Sequence, residues 1–235
     1  DATTFGPVSP QPRSPIPMGL GTRADEDCLF LNVWAPSGTQ PGDAKPVMVW
    51  VHGGAYIFGS GSQPMYDGTV LAHGSDVIVV TINYRLGALG FLDMSAAGFD
   101  SNVALRDVLA ALRWVADNIA AFGGDPDRVT LFGESAGAAI TTTLLAVPEA
   151  AGGLFSRAIA QSAPATSIYG RERAKEMAEL FLERLGMTAD EAQRAPVQTL
   201  VDTSQEVFDH VPSTRPGLLA FAPTVDGGTS SRTTR

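Results

Sequence analysis

The chain has 235 residues, 44% apolar and 17% charged, with a net charge of −9; this suits one large α/β domain and excludes an intrinsically disordered chain. Its scattered Lys and Arg argue against nucleic acid as a partner, and no apolar run approaches the length of a membrane span. One cysteine, Cys28, excludes an internal disulfide framework, and His52, His73 and His210 leave little for a metal site, so no metal or cofactor is expected.

In chain order, residues 1 to 22 hold Pro7, Pro10, Pro12, Pro15 and Pro17 and read as an extended arm over a surface. Short β-branched or aromatic runs follow at Cys28 to Trp34, Val47 to Val51, Val77 to Ile82 and Val129 to Phe132, with a weaker one at Arg157 to Gln161. Their near-continuous apolar character predicts strands buried on both faces of a sheet. Leu105, Val108, Leu109, Leu112, Val115, Ala116 and Ile119 form one helical stripe that stops at Gly123-Gly124. A second stripe, Ala174, Met177, Ala178, Phe181 and Leu185, stops at Gly186. Alternating strands and helices predict an α/β, mostly parallel, doubly wound sheet. The last residues contain no apolar side chain and form a polar tail over 228–235.

The chemistry centres on Gly133-Glu134-Ser135-Ala136-Gly137. The bare Gly-x-Ser-x-Gly pattern is expected by chance in about one chain in five of this composition, so its setting decides. An apolar strand runs into it and an Ala/Leu-rich helix runs out, which holds a serine in a sharp turn with its hydroxyl exposed. The competing reading is a serine that merely caps the following helix. A serine attacking a carbonyl also needs fixed donors for the oxygen that becomes negative. Ala136 lies at the positive end of the helix, and His52-Gly53-Gly54-Ala55 follows the strand VMVWV directly, so its small residues let backbone approach a substrate.

Together with EDCLFLNVWAP (26–36), VIVVTINYRLGALGFL (77–92), SNVALRD (101–107), LFSRAIAQSAPA (154–165) and FAPTVDG (221–227), these motifs resemble the type B carboxylesterase family of the α/β-hydrolase fold. The resemblance implies a serine carboxylic-ester hydrolase acting on a small-molecule ester. Ser135 would be the acylated nucleophile, Gly54, Ala55 and Ala136 the oxyanion-hole donors, and Gly53 and Glu134 near neighbours. Cys28 matches a cysteine that is disulfide-bonded in many secreted relatives, and its partner position holds Ser9, so that bond cannot form. Glu26, Asp27 and Arg85 are expected to pair near the sheet edge, and Asp125 and Asp127 to shape the turn before the elbow strand. The absence of a signal-like segment and the single cysteine lean towards the cytoplasm.

The resemblance also implies departures. The family's acid and histidine lie beyond the FAPTVDG stretch, and its opening strands lie before Asp1. Residues 1–227 are therefore expected to be a partial hydrolase domain, incomplete at both ends, and weak or inactive alone. Two alternatives stay open. The chain could be a non-catalytic binding or scaffold member of the fold. It could also be a compact hydrolase using His210 as base, although VFDHVPSTRPG reads as an irregular stretch with no strand ahead of it. His73 is expected on the surface, at the end of a short helix.

Overall fold

The computed structural model describes residues 2–14, 19, 22–164 and 168–226. The expected tail over 228–235 and the arm's Pro15 and Pro17 lie outside these residues. The elements run β1 (Leu31–Trp34), β2 (Lys45–Val51), α1 (Thr69–Ser75), β3 (Ile78–Ile82), α2 (Gly87–Phe91), α3 (Val103–Asn118), β4 (Gly124–Glu134), α4 (Ala136–Leu144), α5 (Pro148–Ala151), β5 (Arg157–Gln161), α6 (Arg171–Leu185), α7 (Ala189–Ala192) and α8 (Val197–Thr214). The described strands form one sheet in the order β1-β3-β2-β4-β5, parallel except for β1 against β3.

Right-handed crossovers explain the layering. The chain winds from β2 to β3 in one direction and from β3 back to β4 in the other, so α1 and α3 fall on opposite faces. Strand alternation then assigns the side chains. Val47, Val49, Val51, Ile78, Val80, Ile82, Val129 and Leu131 join one core with the α3 stripe Leu105, Val108, Leu109 and Leu112 and with Ile140 and Leu144 of α4. On the other face α1 covers Met48, Val77 and Val79 through Leu71 and Ala72. The expectation of strands buried on both faces fails at β5, where every residue is exposed and Ile159 is 45% accessible. β5 lies at the sheet edge, paired only with β4 among the described strands.

The glycine stops sit where expected. A 3₁₀ turn over Ile119–Phe122 continues α3 and ends at Gly123, φ 83°, and α6 ends at Gly186, φ 69°. Asp125 accepts the Asp127 N–H in the turn at the start of β4. His73 is exposed in the last turn of α1. VFDHVPST, by contrast, is helix and not an irregular stretch. The buried stripe Val201, Ser204, Val207 and Val211 carries α8 through Pro212, which falls in the final turn, where few carbonyls still await a helical donor.

Two ion-pair and cysteine readings also meet the structure. Arg85 does not pair with Glu26 or Asp27. Its guanidinium grips Asp107 of α3 through Nε at 2.9 Å and Nη2 at 2.6 Å, and its backbone N–H donates to the same carboxylate at 3.1 Å. The fork geometry of Arg suits this bidentate grip on a carboxylate that is 6% exposed. Cys28 is free and buried. Burial pushes its thiol pKa up, and a hydrogen bond with Ser9 opposes the rise.

The FAPTVDG stretch is tied to the start of α3 by Asn102. This residue is 4% exposed and left-handed at φ 50°, a conformation asparagine tolerates. Its amide donates to the Thr224 carbonyl at 2.8 Å and the Asp226 carboxylate at 2.9 Å, while its oxygen accepts the Thr224 N–H at 2.8 Å. Asn102→Ala strips all three bonds and strands the buried Thr224 groups. Its expected cost is about 3 kcal/mol of unfolding free energy, read by urea denaturation.

Candidate active site

β2 is the point at which the winding reverses, and in open α/β sheets ligands bind beyond the strand C-termini at such a switch. Parallel pairing sets Val51 of β2 opposite Gly133 of β4. The residues that follow, His52-Gly53-Gly54 and Glu134-Ser135, therefore leave the sheet side by side. They touch: a Cβ added to Gly53 would lie 3.3 Å from the Ser135 Cβ and 2.8 Å from a Glu134 carboxylate oxygen. The structure thus sets Gly53 against Glu134 and Ser135, with Gly54, Ala55 and Ala136 next to these residues in the chain.

Ser135 occupies the turn between β4 and α4 at φ 52° and ψ −120°, a conformation that costs a non-glycine residue of order 1–3 kcal/mol. Its N–H donates to the Gln161 carbonyl of β5 at 2.9 Å and its carbonyl accepts from Ala139 at 3.0 Å, so the strained backbone is held on both sides. The side chain makes no helix-capping hydrogen bond, which removes the capping reading. Gly133 and Gly137 permit the turn. A Cβ on Gly133 would stand 2.6 Å from the Gly137 carbonyl carbon, and one on Gly137 would stand 2.1 Å from the Val51 oxygen.

The loop after β2 is likewise forced. Gly54, Ala55 and Tyr56 have φ of 117°, 52° and 65°. The Gly54 carbonyl accepts from the Ile57 N–H at 3.1 Å and the Phe58 N–H at 2.9 Å, closing a tight turn. Among the described residues the Gly54 and Ala55 N–H groups donate to no protein acceptor. The Ala136 N–H, first in α4, has no partner within its helix.

His52 supports this loop from beneath. It is 1% exposed, its ring stacks on Tyr84 at 4.3 Å, and the Tyr84 hydroxyl donates to the His52 carbonyl at 2.6 Å. Its Nδ1 lies 2.8 Å from the Gly53 carbonyl, which can only accept, so the neutral ring carries its proton there. Nε2 is buried without a partner among the described residues. Burial therefore lowers the ring pKa from 6.5 to about 4, against the opposing Gly53 hydrogen bond. The unfolded chain takes up this proton near pH 6.5 and the folded chain only near pH 4. The contribution is complete above pH 6.5 and is lost as pH falls, to a total of about 3 kcal/mol. Chemical unfolding at stepped pH should show this loss, and His52→Gln should lack it.

His210 lies on α8 with Nδ1 accepting from the Arg184 guanidinium at 3.3 Å, on the α6–α8 pair. No hydrogen bond among the described residues involves the Ser135 hydroxyl. Among the described residues no group of three or more His, Cys, Asp or Glu could hold a metal ion, and no helix is long and apolar enough to cross a membrane.

Tyr66 was not signalled by any motif. It follows Pro64 in a short 3₁₀ turn, and its ring packs 5.1 Å from Trp50. Burial raises its phenol pKa, the Glu134 charge adds to the rise, and a hydrogen bond with the Gly53 backbone opposes it. Only a lone aromatic in the loop beyond the HGG motif could have pointed to it. A cavity of about 550 Å³ opens between this turn, α1 and the sheet, lined by Trp50, Tyr66, Leu71, Val79, Thr81 and Phe132. Neither Ser135 nor Ala55 lines it, and Tyr66 links it to the Gly53 backbone.

A strained serine with an unbonded hydroxyl, beside a glycine loop with unpaired amides, is an arrangement suited to acyl transfer. The chain is similar to known esterases. The carboxylesterase family matches residues 1–233. The para-nitrobenzyl esterase of Bacillus subtilis is 49% identical over 191 residues, covering 80% of this chain and 38% of that protein. The phenmedipham hydrolase of Pseudarthrobacter oxydans is 42% identical over 99% of this chain and 47% of its own length. Among solved structures, a thermophilic PNB esterase superposes with a TM-score of 0.85 at 42% identity, over 95% of this chain and 47% of that one. A Geobacillus stearothermophilus carboxylesterase superposes with a TM-score of 0.82 at 43% identity. The chain spans about half the length of these relatives, or less. From the Gly-x-Ser-x-Gly turn to the HGG loop and the sheet that joins them, the chain belongs to the carboxylesterase family.

Proposed function

We propose that this chain carries the nucleophile and oxyanion hole of a serine carboxylic-ester hydrolase for small, uncharged or mildly apolar esters. The observation that carries the reading is the Ser135 hydroxyl, unbonded at a strained turn against the Gly53–Ala55 loop. In the proposed reaction the Ser135 Oγ bonds to the ester carbonyl carbon and gives its proton to a base. The carbonyl oxygen becomes negative and accepts from the N–H groups of Gly54, Ala55 and Ala136. Collapse breaks the ester C–O bond, the alcohol leaves with the proton, and water then releases the acid from acyl-Ser135.

The base is the part these residues do not supply. His52 is buried against Gly53 and Tyr84, and His210 is engaged by Arg184. We assign base and orienting acid to a histidine and a carboxylate outside residues 1–235, and read these residues alone as a weak esterase or an inactive scaffold. The compact-hydrolase reading through His210 is set aside on its surface pairing with Arg184. The test is a fluorophosphonate probe applied to a chain extended to the relatives' length, with the adduct mapped by mass spectrometry. Modification of Ser135 supports the reading; a folded, esterolytic protein labelled elsewhere overturns it.

A further inference from the structure

The glycine loop after β2 is strained and needs an outside restraint. Ala55 and Tyr56 both hold left-handed backbone, and such conformations persist only where neighbours over-determine them. Some restraints are local: the Gly87 N–H donates to the Tyr56 carbonyl at 2.8 Å, and the Tyr56 ring packs 4.8 Å from Phe91. At the loop's far end the restraint comes from the N-terminal arm. The Gln11 Nε2 donates to the Gly59 carbonyl at 2.9 Å, and the Gln11 Oε1 accepts the Gly59 N–H at 2.8 Å. One side-chain amide thus satisfies both backbone groups of a residue 48 positions away, as a neighbouring strand would.

Gly59 transmits that grip inward. At φ 108° it packs so closely that a Cβ there would stand 2.6 Å from the His52 Nδ1 and 2.8 Å from the Gly53 carbonyl. Next to it, a Cβ on Gly54 would stand 2.2 Å from the Phe58 oxygen. Gly59 and Phe58 thus pack directly against Gly53 and Gly54. Gln11 is itself fixed: its Nε2 also donates to the Ser9 carbonyl at 3.1 Å, and Val8 pairs with Ala24 in a parallel bridge. Asn83 adds a second tie, donating to the Pro7 and Cys28 carbonyls at 3.0 Å each while accepting the Gly61 N–H at 2.9 Å.

We propose that Gln11 is a positioning residue for ester hydrolysis, clamping Gly59 so that the Gly54 and Ala55 amides hold the geometry of the developing oxyanion. The proposal rests on the reading of that loop as the oxyanion hole. A displacement of about 1 Å at a reacting centre costs on the order of 10²-fold in rate, so a clamp at the loop's base has leverage on catalysis. It acts through Gly59 and touches no substrate. The amide is also chemically specific: methionine fills the space but bonds neither group, and glutamate keeps the acceptor for the Gly59 N–H but sets negative charge against the Gly59 carbonyl.

Two measurements test it. The first is amide hydrogen exchange on the 235-residue chain, which needs no catalysis. Gln11→Met should speed exchange over residues 53–61 by about tenfold or more while β2, β3 and β4 keep their protection. Gln11→Glu, a second variant should the first fail to fold, should show the same local pattern. Unchanged exchange over 53–61, or a uniform rise across the sheet, overturns the clamp whether or not the chain is an esterase. The second is steady-state hydrolysis and inhibition by a trifluoromethyl ketone in a chain extended to the relatives' length. Gln11→Met should lower kcat about 10- to 100-fold with KM within about threefold, and should weaken the ketone in step with kcat/KM, because its adduct carries the oxyanion. A rise in KM with kcat intact overturns the positioning role. If Ser135→Ala leaves hydrolysis unchanged, the functional reading fails separately, and the exchange arm still judges the clamp.

Discussion

Ser135→Ala should lower p-nitrophenyl acetate hydrolysis by about 10⁴-fold or more in a chain extended to the relatives' length, and should change any rate of residues 1–235 little. The asymmetry follows from the positions of the histidines. A serine hydroxyl is a weak nucleophile until a base takes its proton, and among the described residues neither ring bonds it: the His52 Nε2 is buried without a partner, and His210, whose Nδ1 accepts from Arg184, carries its proton on Nε2 when neutral. Where nucleophile and base act as a unit, removing either costs nearly what removing both costs. On the proposed reading the isolated chain therefore retains at most the contribution of the Gly54, Ala55 and Ala136 amides and of binding, which Ser135→Ala leaves in place. Parallel initial-rate measurements on the two chain lengths read both halves of the prediction. Robust turnover by residues 1–235, abolished by Ser135→Ala, would show that a base lies within them.

The parts of this fold legible in sequence were those governed by local rules. The α3 stripe, its stop at Gly123 and the strand–turn–helix around Ser135 follow from spacing, a glycine at positive φ and the run of apolar residues into β4. What escaped is long-range. Arg85 meets Asp107 because α2 and the start of α3 fold back over the end of β3, and no periodicity encodes that return. Pro212 suggested irregular chain because proline is costly in a helix interior, yet only two residues of α8 follow it. Tyr66 and Gln11 reach the site from segments with no motif of their own, one through a 3₁₀ turn and the other across 48 residues. β5 looked like a buried strand by composition, although burial depends on what packs against it and not on the strand itself.

Gly137→Ala should be a severely damaging single-methyl change near the site. The added Cβ would stand 2.1 Å from the Val51 carbonyl oxygen and 2.7 Å from that of His52, where real Cβ contacts stay beyond 3.0 Å. Both obstacles are backbone of β2 and its exit, and neither can rotate aside as a side chain would. Relief requires α4 to lift from the sheet by roughly an ångström, which carries the Ala136 amide and the Ser135 turn away from the Gly53–Ala55 loop. Overpacking of this kind costs about 1–3 kcal/mol, and helix propensity, which favours alanine over glycine by about 1 kcal/mol, offsets only part of it. Two readouts should move together: a lower urea midpoint, and a loss of about 10²-fold or more in phosphonylation of Ser135 in the extended chain. Gly153→Ala is the control, since a Cβ there meets nothing within 4 Å and carries only the strain of its φ of 150°. A Gly137→Ala protein with the parent's midpoint and the parent's labelling rate would mean that α4 and β2 can part without disturbing the elbow. The close approach of Gly137 to Val51 would then have no bearing on the chemistry of Ser135.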